Sequence, residues 1–156
     1  MNCHFVFTVK RKDTGAIEKW KARLVADGTT QKRGVDFDRV FSTVVKASTI
    51  RLVFALAATH DYNLSQIDVR QAYLQAQLGE PMYMRVPPGL STVDDKGRPL
   101  VAKLNRAIYG CKQSGKLWAE LLGEFLLSWG FSRSPIDVCL FIYTAAPSVL
   151  ICLVYV

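Results

Sequence analysis

Apolar and polar residues alternate from Cys3 to Lys10, with Cys3, Phe5, Phe7 and Val9 on one side and His4, Val6, Thr8 and Lys10 on the other. A period of two predicts a strand. Lys12-Asp13-Thr14-Gly15 supplies turn chemistry, and Ile17 to Ala26 predicts the returning strand of a hairpin. On that strand Trp20, Ala22, Leu24 and Ala26 share one face, whereas Lys19, Lys21, Arg23 and Val25 share the other. Three cations thereby fall in a row about 7 Å apart on a pleated ribbon.

Asp27 to Ser42 reads as a polar loop. The period then changes to that of a helix, expected to be capped by Ser48 or Thr49 and to run to about His60, with Ile50, Val53, Phe54 and Ala57 as its buried stripe. Asp61-Tyr62-Asn63 breaks it. Leu64 to Val69 predicts a central strand that runs into a bend or short helical turn at Arg70-Gln71-Ala72. Further strands are expected at Met82 to Val86 and Leu100 to Leu104, separated by a Pro/Gly/Asp-rich loop over 87–99. Trp118, Leu121, Leu122, Phe125 and Trp129 follow helical spacing from Ser114, Gly130 is the stop, and both tryptophans are expected in the core. Val138 to Tyr143 and Val149 to Val156 predict a closing hairpin. The sum is an α+β domain, an antiparallel sheet with helices on one face.

With 156 residues, half of them hydrophobic, a single globular domain is expected and disorder is excluded. The formal charge of +7 is uneven: residues 1–51 carry eleven Lys and Arg against five acids, so nearly all of the excess lies there. That asymmetry suits a polyanionic partner or a solvated face. The four cysteines lie far apart in apolar runs, which predicts buried thiols in a reducing compartment and no zinc site. The N-terminus lacks the pattern of a secretory signal. Residues 138–156 carry no charge and approach the length of a membrane span, but Thr144, Pro147 and Ser148 interrupt them, so a hairpin is preferred to an anchor.

Asp68, between Ile67 and Val69, is a carboxylate embedded in an apolar stretch. Taken alone, an Asp there is more often a turn former or cap than a metal ligand, since a Mg²⁺ site wants one or two carboxylates together with phosphate oxygens and water, and Asp68 supplies only one. Neither histidine supports a nucleophilic triad, and no phosphate-binding glycine loop occurs.

A set of ordered strings carries more. Lys21-Ala22-Arg23-Leu24-Val25-Ala26 with Gly28 and Gln31 is followed by Phe41-Ser42-Thr43-Val44-Val45-Lys46 and Thr49-Ile50-Arg51. Gln66-Ile67-Asp68-Val69 with Ala72-Tyr73-Leu74 comes next, then Tyr83-Met84 with Pro87-Pro88-Gly89. Tyr109-Gly110 with Lys112-Gln113 and a closing Tyr155-Val156 complete the set. Together they resemble, over nearly the whole chain, the reverse transcriptase domain of copia-type retrotransposon polyproteins.

The resemblance implies an RNA-directed DNA polymerase, with residues of about 1–63 and 82–113 fingers-like and about 64–81 and 114–156 palm-like. Its partners would be an RNA or DNA template-primer, a deoxynucleoside triphosphate and the remainder of a polyprotein, with no membrane. An intracellular setting, cytoplasm or virus-like particle, follows from the family. Asp68 would be the catalytic carboxylate that binds Mg²⁺, with Mn²⁺ as the alternative cofactor. Lys21, Arg23, Val69, Tyr73, Tyr109, Gly110 and Gln113 would bind nucleotide, Tyr73 by packing on the deoxyribose and excluding a 2′-hydroxyl. Lys19 and Lys112 would contact nucleic acid.

The sequence departs from the family's pattern at Asp27, where a basic residue is usual, at Thr43, where proline is usual, and at Ser114-Gly115-Lys116, where Ala-Pro-Arg is typical. It also stops at Tyr155-Val156, where the family continues into paired aspartates, so a fragment truncated just before them and inactive by itself is expected. The alternative reading is a non-catalytic basic nucleic-acid-binding module.

Overall fold

The computed structural model describes residues 1–38, 40, 42 and 44–156. The family match at Phe41 and the departure at Thr43 therefore lie outside the described residues. Helices and antiparallel sheets are mixed, as an α+β chain requires, but the described strands form three separate sheets rather than one. The chain divides into two compact units, Met1–Val40 with Tyr73–Ser114, and Phe41–Ala72 with Gly115–Val156.

In the first unit, β1 (Cys3–Arg11) and β2 (Ile17–Ala26) pair antiparallel around a turn in which the Gly15 N–H bonds the Lys12 carbonyl at 2.8 Å. Gly15 adopts φ +83°, a conformation in which a Cβ would be strained. The register sets Phe5 opposite Leu24 and Phe7 opposite Ala22, and it sets Val6 opposite Arg23 and Thr8 opposite Lys21. The two faces are thus those that the alternation predicts. β3 (Gln77–Arg85) and β4 (Val101–Arg106) make a second hairpin, each longer than the sequence pattern implies. The loop between them is tightened by Asp94, which accepts the Lys96 and Arg98 N–H groups and pairs with the Arg98 guanidinium at 2.7 Å. Ala26, Met82, Met84, Leu104, Ile108 and Cys111 form the core of this unit. Complete burial of side chains the size of Met82, Met84, Leu104 and Ile108 stabilises by about 1.5–3 kcal/mol each. Burial also pushes the Cys111 thiol above its ordinary pKa.

In the second unit, α1 (Ala47–His60) buries Thr49, Val53 and Ala57, and Asp61 ends it in the left-handed conformation. Two expectations are corrected here. Phe54 points outward, 55% exposed, because 100° per residue puts it off the face that Val53 and Ala57 define. The helix starts at Ala47 after Lys46, which makes no side-chain cap, and neither Ser48 nor Thr49 is the capping residue. The cap comes instead from Asp137, whose carboxylate accepts the Lys46 N–H at 2.9 Å and the Thr49 hydroxyl at 2.7 Å.

The predicted strand at Leu64 to Val69 is also corrected: the segment has no regular structure, and Ile67 is 86% exposed. An apolar run becomes a strand only where a neighbour accepts its backbone hydrogen bonds, and no described strand pairs with this one. The bend beyond it is present, with Gln71 at φ +53°, and leads into α2 (Ala72–Gln75).

α3 (Ser114–Ser128) follows the predicted helical spacing, yet only Trp118 of its two tryptophans is buried; Trp129 is 68% exposed, just past the helix end. β5 (Ser132–Arg133), β6 (Leu140–Ala145) and β7 (Ser148–Leu153) form the third sheet in that order, so the predicted closing hairpin is β6 with β7. Cys111 and Cys139 are buried, Cys3 and Cys152 half-buried, and none of the four is in a disulfide. Among the described residues no helix is long and apolar enough to cross a membrane.

Candidate nucleotide site and nucleic-acid interface

The candidate residues fall in both units. Asp68 and Val69 belong to the second; Lys19, Lys21, Arg23, Tyr73, Tyr109, Gly110, Lys112 and Gln113 belong to the first. Within the first unit the structure brings several of them together.

The turn after β4 is locked into the end of β2. The Ala26 N–H donates to the Tyr109 carbonyl at 2.8 Å, and Gly110 takes φ +90° so closely against β2 that a Cβ would strike the Ala26 carbonyl. Gly28 meets the Gly110 carbonyl in the same way. Only glycine permits backbones to approach this closely. Tyr109 projects from this turn, and its ring centroid lies 4.6 Å from that of Tyr73, at an interplanar angle of 52°. The Arg23 guanidinium stands 5.8 Å from the centre of the Tyr109 ring, within cation–π range. Tyr73 comes from α2, whose end is tied to β4 by the Ala107 N–H to the Ala76 carbonyl and by Arg106 Nη1 to the Gln75 carbonyl at 2.7 Å.

Behind the turn lies a polar cluster. Gln31 is 5% exposed; its Oε1 accepts the Lys112 N–H at 2.7 Å, and its Nε2 donates to Gln113 Oε1 at 3.0 Å. Gln113 Nε2 donates in turn to the Asp36 carbonyl at 3.1 Å and faces Met82 Sδ. Lys112 Nζ donates to the Gln31 carbonyl and lies 4.8 Å from the centre of the Phe37 ring. Gln113 and the exposed Lys112 thus both bond to groups of the protein itself. Gln31 carries part of the resemblance, but only the structure shows that it holds the turn. A buried amide has to find partners for all its polar atoms, and here they come from residues more than eighty positions away.

Two departures from the family pattern have local roles. Asp27 caps the 3-10 turn Gly28–Thr30, accepting the Thr29 hydroxyl at 2.5 Å and the Thr29 N–H at 3.2 Å, and these bonds hold its carboxyl below the usual range. Ser114 is almost fully buried and donates to the Ile108 carbonyl.

On the β1–β2 hairpin, Lys10 stands directly opposite Lys19, next to the Thr8–Lys21 and Val6–Arg23 pairs on the same face. Like charges opposed across a ladder destabilise it, and a polyanion relieves that cost. Asp68 is exposed, and no hydrogen bond or ion pair reaches it among the described residues. Its oxygens are suited to a hard cation, but among the described residues no group of three or more His, Cys, Asp or Glu could hold a metal. The donor set found here is one ligand and not a complete site.

The first unit thus holds a basic hairpin and a glycine-locked aromatic turn, and the second an exposed carboxylate. The family model described as Reverse transcriptase (RNA-dependent DNA polymerase) matches residues 1–156, and the chain belongs to that family. It is 40% identical to the Retrovirus-related Pol polyprotein from transposon RE1 of Arabidopsis thaliana over 157 residues, covering all of this chain and 10% of that relative. It is also 40% identical to the RE2 polyprotein of the same plant, covering all of this chain and 11% of the relative. With the TNT 1-94 polyprotein of Nicotiana tabacum it shares 37% over 141 residues, 90% of this chain and 10% of the relative. These are copia-type retrotransposon polyproteins. The chain spans about a tenth of the length of these curated relatives. No solved structure matches it.

Proposed function

We propose that residues 1–156 supply the nucleotide-selecting and first metal-binding parts of an RNA-directed DNA polymerase. The observation that carries this reading is the stack of Arg23, Tyr109 and Tyr73 within one unit of a chain from the reverse transcriptase family. A cation over one ring of an aromatic pair suits a nucleoside triphosphate, which offers phosphates to the guanidinium and a sugar edge to a ring. In this reading Arg23 and Lys21 meet the triphosphate, Tyr73 packs on the deoxyribose, and Gln113 and Lys112 shape the pocket from behind. The β1–β2 hairpin is fingers-like and the segment with Asp68 palm-like. Asp68 would hold Mg²⁺ as one of its ligands, and the bound ion would supply electrostatic stabilisation of the transferring phosphoryl group. One carboxylate does not hold a pair of ions, so these residues alone are proposed not to polymerise.

A primer-extension assay with Mg²⁺ tests this. No incorporation by residues 1–156 is expected; incorporation that vanishes in Asp68→Asn would show that the chain needs no other carboxylates.

The opposed lysines of the hairpin favour a second reading, a basic module that binds nucleic acid without catalysis. It predicts salt-dependent binding to template-primer while deoxynucleoside triphosphates bind with no preference over ribonucleotides.

A further inference from the structure

We infer that Tyr109 is a positioning residue for sugar selection: it fixes the ring of Tyr73, and thereby sets how strictly a 2′-hydroxyl is refused. This deepens, and rests on, the reading that Tyr73 packs on the deoxyribose.

The two tyrosines are held in different ways. Tyr73 rises from a helix of four residues, far too short to be rigid by itself. The bonds at its end, Ala107 N–H to the Ala76 carbonyl and Arg106 to the Gln75 carbonyl, fix the backbone and do not involve the Tyr73 side chain. Tyr109 is anchored through its own backbone: its carbonyl is bonded to Ala26, the glycine after it is pressed against β2, and Gln31 holds Lys112 three residues on. Arg23 then covers its ring. The only ring contact made by Tyr73 among the described residues is with Tyr109, at 4.6 Å.

Refusing a single hydroxyl by contact demands that the refusing ring stay within about 0.5 Å of its place. A short helix cannot supply that tolerance, and a neighbouring ring on a locked turn can. The contact is between ring faces and edges, and no hydrogen bond to the Tyr109 phenol is found among the described residues, so the ring and not its hydroxyl does the holding.

The test measures binding of dGTP and GTP to residues 1–156 in Mg²⁺ by competition, together with the NMR ring-proton shifts of Tyr73. The unmodified chain is expected to prefer dGTP. Tyr73→Ala should abolish the preference, which tests the underlying reading. Tyr109→Leu should lower it by about tenfold or more while collapsing the ring-current shifts of Tyr73. Tyr109→Phe should retain both, and Tyr73→Ala with Tyr109→Leu should be no worse than Tyr73→Ala. Tyr109→Met, which keeps more bulk in the turn, carries the same expectation as Leu should the Leu variant not fold. If Tyr73→Ala abolishes the preference and the Tyr109 variants keep it, the positioning role is overturned and the reading of Tyr73 stands. If Tyr73→Ala leaves the preference intact, or the unmodified chain has none, both fall.

Discussion

The carboxylate of Asp137 accepts the hydroxyl of Thr49 at 2.7 Å, across 88 positions of sequence. It also takes the N–H of Lys46 at 2.9 Å and that of Cys139 at 3.0 Å. Asp137 is 4% exposed. A helix that does not cap itself is therefore capped by a remote acid, at the end where the helix dipole favours negative charge. The same side chain joins α1 to the turn that precedes β6.

Removal of Asp137 leaves three donors without their acceptor. Asp137→Ala is expected to destabilise by about 3 kcal/mol, and Thr49→Val by about 1–2 kcal/mol. Urea denaturation measures both. In a double-mutant cycle the two effects should fall short of additivity, because the variants remove one shared bond.

Burial alone would raise the Asp137 pKa, but bonds from the Thr49 hydroxyl and the Lys46 and Cys139 N–H groups outweigh it and hold the carboxyl below its ordinary range. A depressed folded pKa contributes stability that is fully present above the unfolded value of about 3.9 and is lost as pH falls through the folded value. Urea midpoints should therefore decline below about pH 4. Asp27 and Asp94 titrate in the same sense, so the diagnostic is a shallower acid decline in Asp137→Asn than in the unmodified chain.

Gly110→Ala places a Cβ against the Ala26 carbonyl at φ +90°. Backbone has to move, so the cost should reach at least about 2 kcal/mol and the Tyr109 turn should loosen. Gly123→Ala makes a useful contrast within α3. There the Cβ meets the far end of Arg133, whose guanidinium lies 5.0 Å from the centre of the Phe141 ring. The helix gains about 1 kcal/mol of propensity and loses a cation–π contact of similar size, so near-neutral stability is expected. In an Arg133→Ala background the same change should stabilise. Thermal denaturation distinguishes these outcomes.

Lys10, Lys19 and Arg23 share one face of the hairpin with Lys21. Replacing Lys19 by Ala should weaken template-primer binding uniformly across sequences and lower the slope of log K against log salt by about 1. It should also stabilise the hairpin slightly, since Lys10 then faces no like charge. A slope unchanged in Lys19→Ala would remove this face from the interface.

Features that depend on neighbours close in sequence are legible in the order of residues. Alternation sets both faces of the β1–β2 hairpin, because a strand's side-chain period is fixed by its backbone. Helical spacing locates α1 and α3, and Asp61 and Gly130 mark where they stop. The ordered strings around Asp68, Tyr73 and Tyr109 identify the family, which residues 1–156 match throughout.

Features that depend on remote partners are not legible there. Leu64 to Val69 has the composition of a strand, but strand formation needs a hydrogen-bonding neighbour that composition cannot supply. Phe54 and Trp129 have core chemistry, yet burial depends on what else packs there. Adjacent Ser and Thr are the natural candidates for the α1 cap, whereas the acceptor lies at Asp137. Gln31 shows the same rule in the candidate site, since its partners, Lys112 and Gln113, are distant in sequence. The sequence by itself determined the local periods, the charge distribution and the family. Tertiary structure alone decided which polar atoms meet and that the Tyr109 and Tyr73 rings touch, because hydrogen bonds and ring contacts form between neighbours in space.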